Sequence, residues 1–250
     1  MNIALLYSVL VYNINALFLI YVVDRILLKC NISQKRESTR WFQLHAIINI
    51  CIAYSVYEDV ITCLYDPTKS NEITITEWGR SFALSLHVYH SIMYTLRRED
   101  WYHHIISVFL CAPMCIINNT KAVSFNYFFC TGLPGAIDYT VLSLVRTNFV
   151  TRIKQKQIAS YLNTYVRMPG GGLGAYLIFK DAFQPTETHM NRILLAFIMY
   201  LNSFYYGNQA IGSYYKANTE NIIFKNVENK SKQRNYNIFN EYLSASRSNR

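Results

Sequence analysis

Charge is what this chain has least of. Only 16% of its 250 residues are Asp, Glu, Lys or Arg, against about 25% in an ordinary soluble domain. The six cysteines form no CxxC pair, so neither a zinc site nor a disulfide framework is indicated. Most lie inside apolar runs and read as small buried hydrophobes. No GxSxG sequence is present to build a serine nucleophile elbow. The last apolar run has no interior lysine, Lys216 lying beyond it, which argues against a retinal Schiff base. Six histidines are too few for the histidine boxes of membrane di-iron oxygenases, and HxxH at 87–90 with HH at 103–104 does not match their spacing. A single zinc on three histidines stays open as an alternative, although no metal is expected. The net charge is +9, but no aromatic-basic platform accompanies it. Basic loops beside membrane spans explain that charge better than nucleic acid does.

What is present in quantity is apolar: 52% of residues are hydrophobic and 15% aromatic, with 21 tyrosines. That composition suits a chain with two membrane interfaces to line. Ile3 to Val23 is uncharged and long enough to cross a bilayer at about 20 residues per span. It lacks the basic start and cleavage site of a signal peptide, so it reads as a retained helix. Further spans are expected over 41–65, 81–96, 103–118, 122–145, 158–179 and 193–214, the fifth and sixth broken at Gly132-Leu133-Pro134-Gly135 and Met168-Pro169-Gly170. The fold class is therefore all-α, a polytopic membrane bundle of about seven transmembrane helices. Residues 1–40 supply the first helix and a basic loop, residues 41–215 the membrane domain, and residues 216–250 a polar, loosely ordered tail. Lys and Arg number eighteen in the odd connections plus the tail and five in the even connections. The positive-inside rule then puts the amino terminus outside or lumenal and the tail in the cytosol.

Polar residues inside spans point to a site. Arg97-Arg98-Glu99-Asp100 forms a charged hinge that runs into His103-His104. In an antiparallel arrangement His90 and His87 lie about 10 and 15 Å from the cytosolic end of the third span, and Asp138 about 10 Å from that of the fifth. His87 and His90, spaced i and i+3, share one helix face. Arg167 falls near mid-depth. His45 reads as an interfacial side chain, and Glu58 with Asp59 as residues near the lumenal interface. Asp138 and Arg167 could serve a site or pair with each other as a structural ion pair.

At the histidine pair the sequence resembles the TLC-domain family of multi-pass membrane proteins, which includes the ceramide synthases. His103-His104-x-x-Ser107-x-x-Leu110 is similar to the family's HHxxTxxL stretch, with Ser107 in the Thr place. Asn118 falls where the ceramide-synthase motif has Asn, and Asp138, Leu142, Arg146 and Asn148-Phe149 resemble its closing segment with shifted spacing. Gly135 stands where a second acidic residue is usual, and Ser143 replaces the acidic residue of the next turn. The resemblance covers roughly residues 41 to 215.

It implies an endoplasmic-reticulum membrane protein that handles lipids. One reading is an acyl-CoA-dependent acyltransferase, with His103 or His104 as general base and the other histidine, or Asp138, orienting it. His87, His90, Arg167 and Ser107 would bind substrate, Arg167 through a phosphate or carboxylate. The other reading is a non-enzymatic lipid-binding or cargo-escort protein. The expected partners are membrane lipids, acyl-CoA as co-substrate and a second copy in a homodimer, with no tightly bound cofactor.

Overall fold

A computed structural model describes residues 3–30, 37–96, 98–183 and 189–248. Lys35, Arg36, Arg97 and Arg250, counted above among the basic connections and tail, lie outside the described residues. The described chain is helical throughout, with one isolated antiparallel bridge between Ile73 and Thr120. The helices are α1 (Ile3–Lys29), α2 (Glu37–Ser55), α3 (Tyr57–Tyr65), α4 (Trp78–Met93), α5 (Arg98–Ile105), α6 (Ala112–Ile117), α7 (Lys121–Asn126), α8 (Leu133–Arg146), α9 (Arg152–Leu162), α10 (Met168–Lys180) and α11 (Met190–Ser248).

Several of these are segments of longer rods. A π-helical turn joins α5 to α6 (Ile106–Cys111), another joins α7 to α8 (Tyr127–Gly132), and a third joins α9 to α10 (Asn163–Arg167). Each turn ends just ahead of a proline: Pro113, Pro134 and Pro169. Proline has no N–H to donate and its ring strikes the carbonyl four residues back. In each rod that carbonyl (Phe109, Cys130 or Tyr165) lies within the π turn. The wider turn absorbs the clash and the rod runs on. The breaks expected in the fifth and sixth spans are thus widened turns in continuous helices, and Pro113 adds a third.

With α2 and α3 taken together, the described residues form seven helical rods. Length and apolarity qualify three as membrane-crossing: Leu6–Lys29, Asp100–Ile117 and Lys121–Arg146. The pair Thr39–Ser55 and Tyr57–Tyr65, bent by 46°, makes a fourth if counted as one span. This is fewer than the seven expected. The shortfall has physical causes. Helix α4 is only 16 residues long, the α9–α10 rod carries Arg152, Lys154 and Lys156 with Arg167 in its π turn, and the apolar part of α11 is diluted by Asn202, Asn208 and Gln209. The 216–250 tail also differs from expectation, because α11 continues through it to Ser248. Its side chains from Ile222 to Arg234 are exposed, and Glu228 pairs with Lys232 at 2.6 Å, one turn on.

The bundle has two apolar clusters. One joins α1, α2 and α4 through Ile20, Leu44, Ile48, Phe82 and Leu86. The other joins α3, α7, α10 and α11 through Val60, Phe125, Leu177 and Leu195. Close approach is built in where α2 meets the π turn ahead of α8, since a Cβ on Gly132 would sit 2.9 Å from the backbone nitrogen of Ala53. Outward, α1 presents Leu6, Tyr7, Leu10, Ile14 and Phe18 to the surroundings, an apolar face suited to hydrocarbon.

At the end of the bundle opposite the histidine pair, polar contacts tie the rods together. Asp59 is fully buried and accepts from the Thr74 hydroxyl and, at 3.3 Å, from the Ile75 N–H. Glu58 stays exposed. Asn118 Oδ1 accepts from Asn191 at 3.2 Å and from Arg192 at 3.3 Å. Lys121 meets Glu72 at 2.5 Å.

Candidate functional site

The four histidines of the α4–α5 region come together as two hydrogen-bonded pairs. His87 Nε2 lies 3.2 Å from His103 Nε2, and His90 Nδ1 lies 3.2 Å from His104 Nε2. Sequence spacing accounts for this. His87 and His90 share a face of α4, while His103 and His104 open the next rod, which folds back alongside it.

The partners of each ring fix the direction of its bonds. A carbonyl only accepts. His87 Nδ1 lies 2.7 Å from the Ala83 carbonyl, so that nitrogen carries the proton and, in a neutral ring, Nε2 is the acceptor. His103 must then donate from Nε2, which leaves its Nδ1 as an acceptor. Tyr206 of α11 faces that atom at 3.0 Å and donates its phenolic O–H. One directed chain therefore runs Tyr206, His103, His87, Ala83. Along the other pair, the Ser91 hydroxyl donates to the His87 carbonyl at 2.8 Å. His104 Nδ1 sits 2.9 Å from Ser91 Oγ and 3.1 Å from that same carbonyl, so it also donates. His104 Nε2 is left to accept from His90.

Aromatic rings wall this network. Trp41 stacks on His90 and packs edge-on against His45. Tyr139, next to Asp138, lies 4.6 Å from the His45 ring. His45 is buried, with Nδ1 3.1 Å from the Trp41 carbonyl. It belongs to the wall of the site rather than to the membrane interface.

Asp138 and Arg167 stand one layer away. Asp138 Oδ1 accepts from Gln155 at 3.0 Å, and Arg167 donates to Asn163 Oδ1 at 3.1 Å. Neither hydrogen-bonds a histidine, nor do they bond each other. The roles imagined for Asp138 as a ring-orienting group are taken by His87 for His103 and by Ser91 for His104. Arg167 remains within electrostatic range of His103, Asp138, Tyr139 and Tyr206. Its Nε is buried without a hydrogen-bond partner. Asp100, at the hinge, is within range of His90, His103 and His104. Ser107 sits half-buried in the π turn and takes no part in the histidine bonds. Among the described residues, no three His, Cys, Asp or Glu side chains converge on a position for a metal ion.

Sequence reading overlooked Tyr206, Ser91 and a buried carboxylate beneath the site. Asp24, fully buried at the end of α1, accepts from Tyr94 at 2.6 Å, Tyr89 at 2.9 Å and Arg25 at 3.1 Å and forms an ion pair with Arg40 at 3.0 Å. It pins α1 to α2 and to the end of α4, and the Tyr94 ring lies 5.6 Å from that of His90. The only sequence signal was an Asp-Arg pair at the end of an uncharged run, indistinguishable from an ordinary loop start. No protein-family pattern, curated protein or solved structure matches this chain.

Proposed function

We propose that this chain is a TLC-like membrane protein of lipid handling with about seven crossings. In this reading its amino terminus is lumenal, its carboxyl terminus is cytosolic and its membrane is the endoplasmic reticulum. Seven helical rods, the Lys and Arg asymmetry and the resemblance at His103-His104 support it. The chemistry we infer is acyl transfer from acyl-CoA to an amine or hydroxyl of a lipid acceptor. One observation carries the assignment of the base: the bond directions leave His103 Nδ1 as a lone pair whose present partner, the Tyr206 hydroxyl, occupies the position an acceptor O–H or N–H would take.

In the step proposed, the acceptor displaces Tyr206 and gives its proton to His103 Nδ1 while its heteroatom attacks the thioester carbonyl. The new acyl bond forms, the carbon–sulfur bond breaks, and the departing thiolate takes the proton from the imidazolium. His87 holds the ring in the required tautomer by accepting from His103 Nε2, the task of the orienting group in a catalytic triad. Arg167 supplies positive charge near the reacting groups and could meet a phosphate or carboxylate. His104, bonded at both nitrogens, supports the geometry.

A second reading is lipid binding or cargo escort without turnover. It is favoured by the fact that every ring nitrogen of His103 and His104 already has a partner. Purified full-length protein incubated with acyl-CoA and a long-chain amine or alcohol, analysed by lipid mass spectrometry, separates the two. Acylated product that falls at least about 100-fold in His103→Gln supports the enzyme. Co-purifying lipid without product, unchanged between the two proteins, selects the binding reading.

A further inference from the structure

A second polar feature lies away from the histidines, where α9 begins against α11. A cleft of about 530 Å³ opens there between Arg152 and Lys156 of α9 and Ser213, Lys216, Glu220 and Asn221 of α11. Three cations face one carboxylate. Lys156 is held in place by the Ser213 hydroxyl at 2.6 Å and the Ser213 carbonyl at 3.3 Å. Arg152 and Lys216 have no ion-pair partner among the described residues.

The cleft also sits at a particular level of the fold. Immediately before it on α11 come Tyr214 and Tyr215, with ring centroids 5.6 Å apart. Beyond it the helix exposes Ile222, Ile223 and Phe224 and then, past Lys225, a run in which Val227 is the one apolar side chain up to Arg234. Paired tyrosines followed by lysine mark the level at which a helix leaves hydrocarbon for the headgroup layer. Arg146 ends α8 just before the connection that leads into α9, on the side with the basic excess.

Surface cations spread over a convex face usually stay solvated and bind nothing in particular. Here they are gathered in a concavity just past the paired tyrosines, and outnumber the local carboxylate by two. We propose that this cleft binds a phosphate ester, with Arg152 and Lys216 reaching the phosphate from opposite walls and Lys156 beneath it. Arginine's fork suits two phosphate oxygens and lysine acts as a point charge. Two sources carry that chemistry: an anionic phospholipid headgroup or the phosphates of a soluble nucleotide-like carrier such as coenzyme A. The site does not depend on His103 being a base, and it stands or falls separately.

The test uses full-length protein in neutral detergent, with intact-complex mass spectrometry as the readout. Phosphatidic acid is titrated against phosphatidylcholine, and coenzyme A is titrated in a parallel arm. Arg152→Gln with Lys216→Gln is compared with Lys225→Gln and Lys230→Gln, a charge-matched change further along α11. All four residues are exposed, so both variants should fold, and a thermal melt checks this. Retention of phosphatidic acid over phosphatidylcholine, weakened about 10- to 30-fold by the cleft variant alone, supports a lipid headgroup, since each cation near the surface is worth about 1 kcal/mol. Coenzyme A binding with the same dependence on Arg152 and Lys216 supports the soluble source. No preference in either arm, or equal loss in the charge-matched control, overturns the proposal.

Discussion

Replacing Asp24 with Asn tests whether the carboxylate beneath the site holds the bundle together. Asp24 is fully buried; it receives three hydrogen bonds, from Tyr89, Tyr94 and Arg25, and forms an ion pair with Arg40. An Asn side chain keeps one acceptor oxygen but turns the other position into a donor. It can satisfy Tyr94 and Arg40 through that oxygen, while its NH₂ faces the Tyr89 hydroxyl and Arg25. The charge that neutralised Arg40, itself only 17% exposed, is gone. Arg25 is 44% exposed and loses little that water does not replace. Breaking a buried ion pair by removing one partner costs about 3–5 kcal/mol. The retained oxygen puts this case at the low end, about 3 kcal/mol. At roughly 2–4 °C per kcal/mol for a chain of this size, Asp24→Asn should lower the melting temperature by about 6–12 °C in detergent or nanodiscs. Combined with Tyr94→Phe, the losses should be non-additive by at least about 0.5 kcal/mol, because both act through one network. A shift below about 2 °C, or full additivity, would refute the idea that this carboxylate clamps α1, α2 and α4.

Other consequences can be checked independently. Tyr206→Phe removes the donor to His103 Nδ1; it should cost about 1 kcal/mol of stability yet leave acyl transfer intact, and a loss as large as that of His103→Gln would show the phenol to be part of the chemistry. A methyl group on Gly170 would collide with the Phe129 ring, whereas one on Gly212 would meet nothing within 4 Å. Gly170→Ala should therefore cost about 1–3 kcal/mol and Gly212→Ala should be neutral or slightly stabilising, compared by thermal melts; equal effects would refute the packing seen between the rods. Asn118 in the Asn118-Asn119-Thr120 sequon is buried and bonded to Asn191 and Arg192, so the folded protein should carry no glycan there. In the proposed orientation Asn229 in Asn229-Lys230-Ser231 is cytosolic and should be unmodified, and a glycan there would overturn that orientation.

The clustering of the histidines was legible from the chain alone. Apolar runs of span length separated by short polar connections force antiparallel neighbours, and helix rise then fixes approximate depth. Depth put His87, His90, His103 and His104 at one level once α4 and α5 packed side by side, and the packing turned their rings toward one another. The all-helical class followed from the same runs, since an apolar setting leaves no other way to satisfy a backbone without closing a barrel. The number of rods that qualify as spans did not follow. It depends on where each helix begins and ends and on how far polar residues such as Asn202, Gln209 and Arg167 dilute its apolar stretch.

What the tertiary structure alone decided is which group touches which atom. Depth along a helix says nothing about rotation around it, and rotation put Asp138 against Gln155 instead of a histidine. The same uncertainty concealed Tyr206, which lies 103 residues from the ring it serves. Sequence patterns mark prolines as breaks, but only the packed rods could show that each is absorbed by a widened turn and carried through. Asp24 is the clearest case. In the sequence it is a charge at the end of a span, where exposure is the usual fate. It is buried because Tyr89, Tyr94 and Arg40 arrive from two other helices with the donors it needs, and a carboxylate can leave water only when such partners are assembled around it.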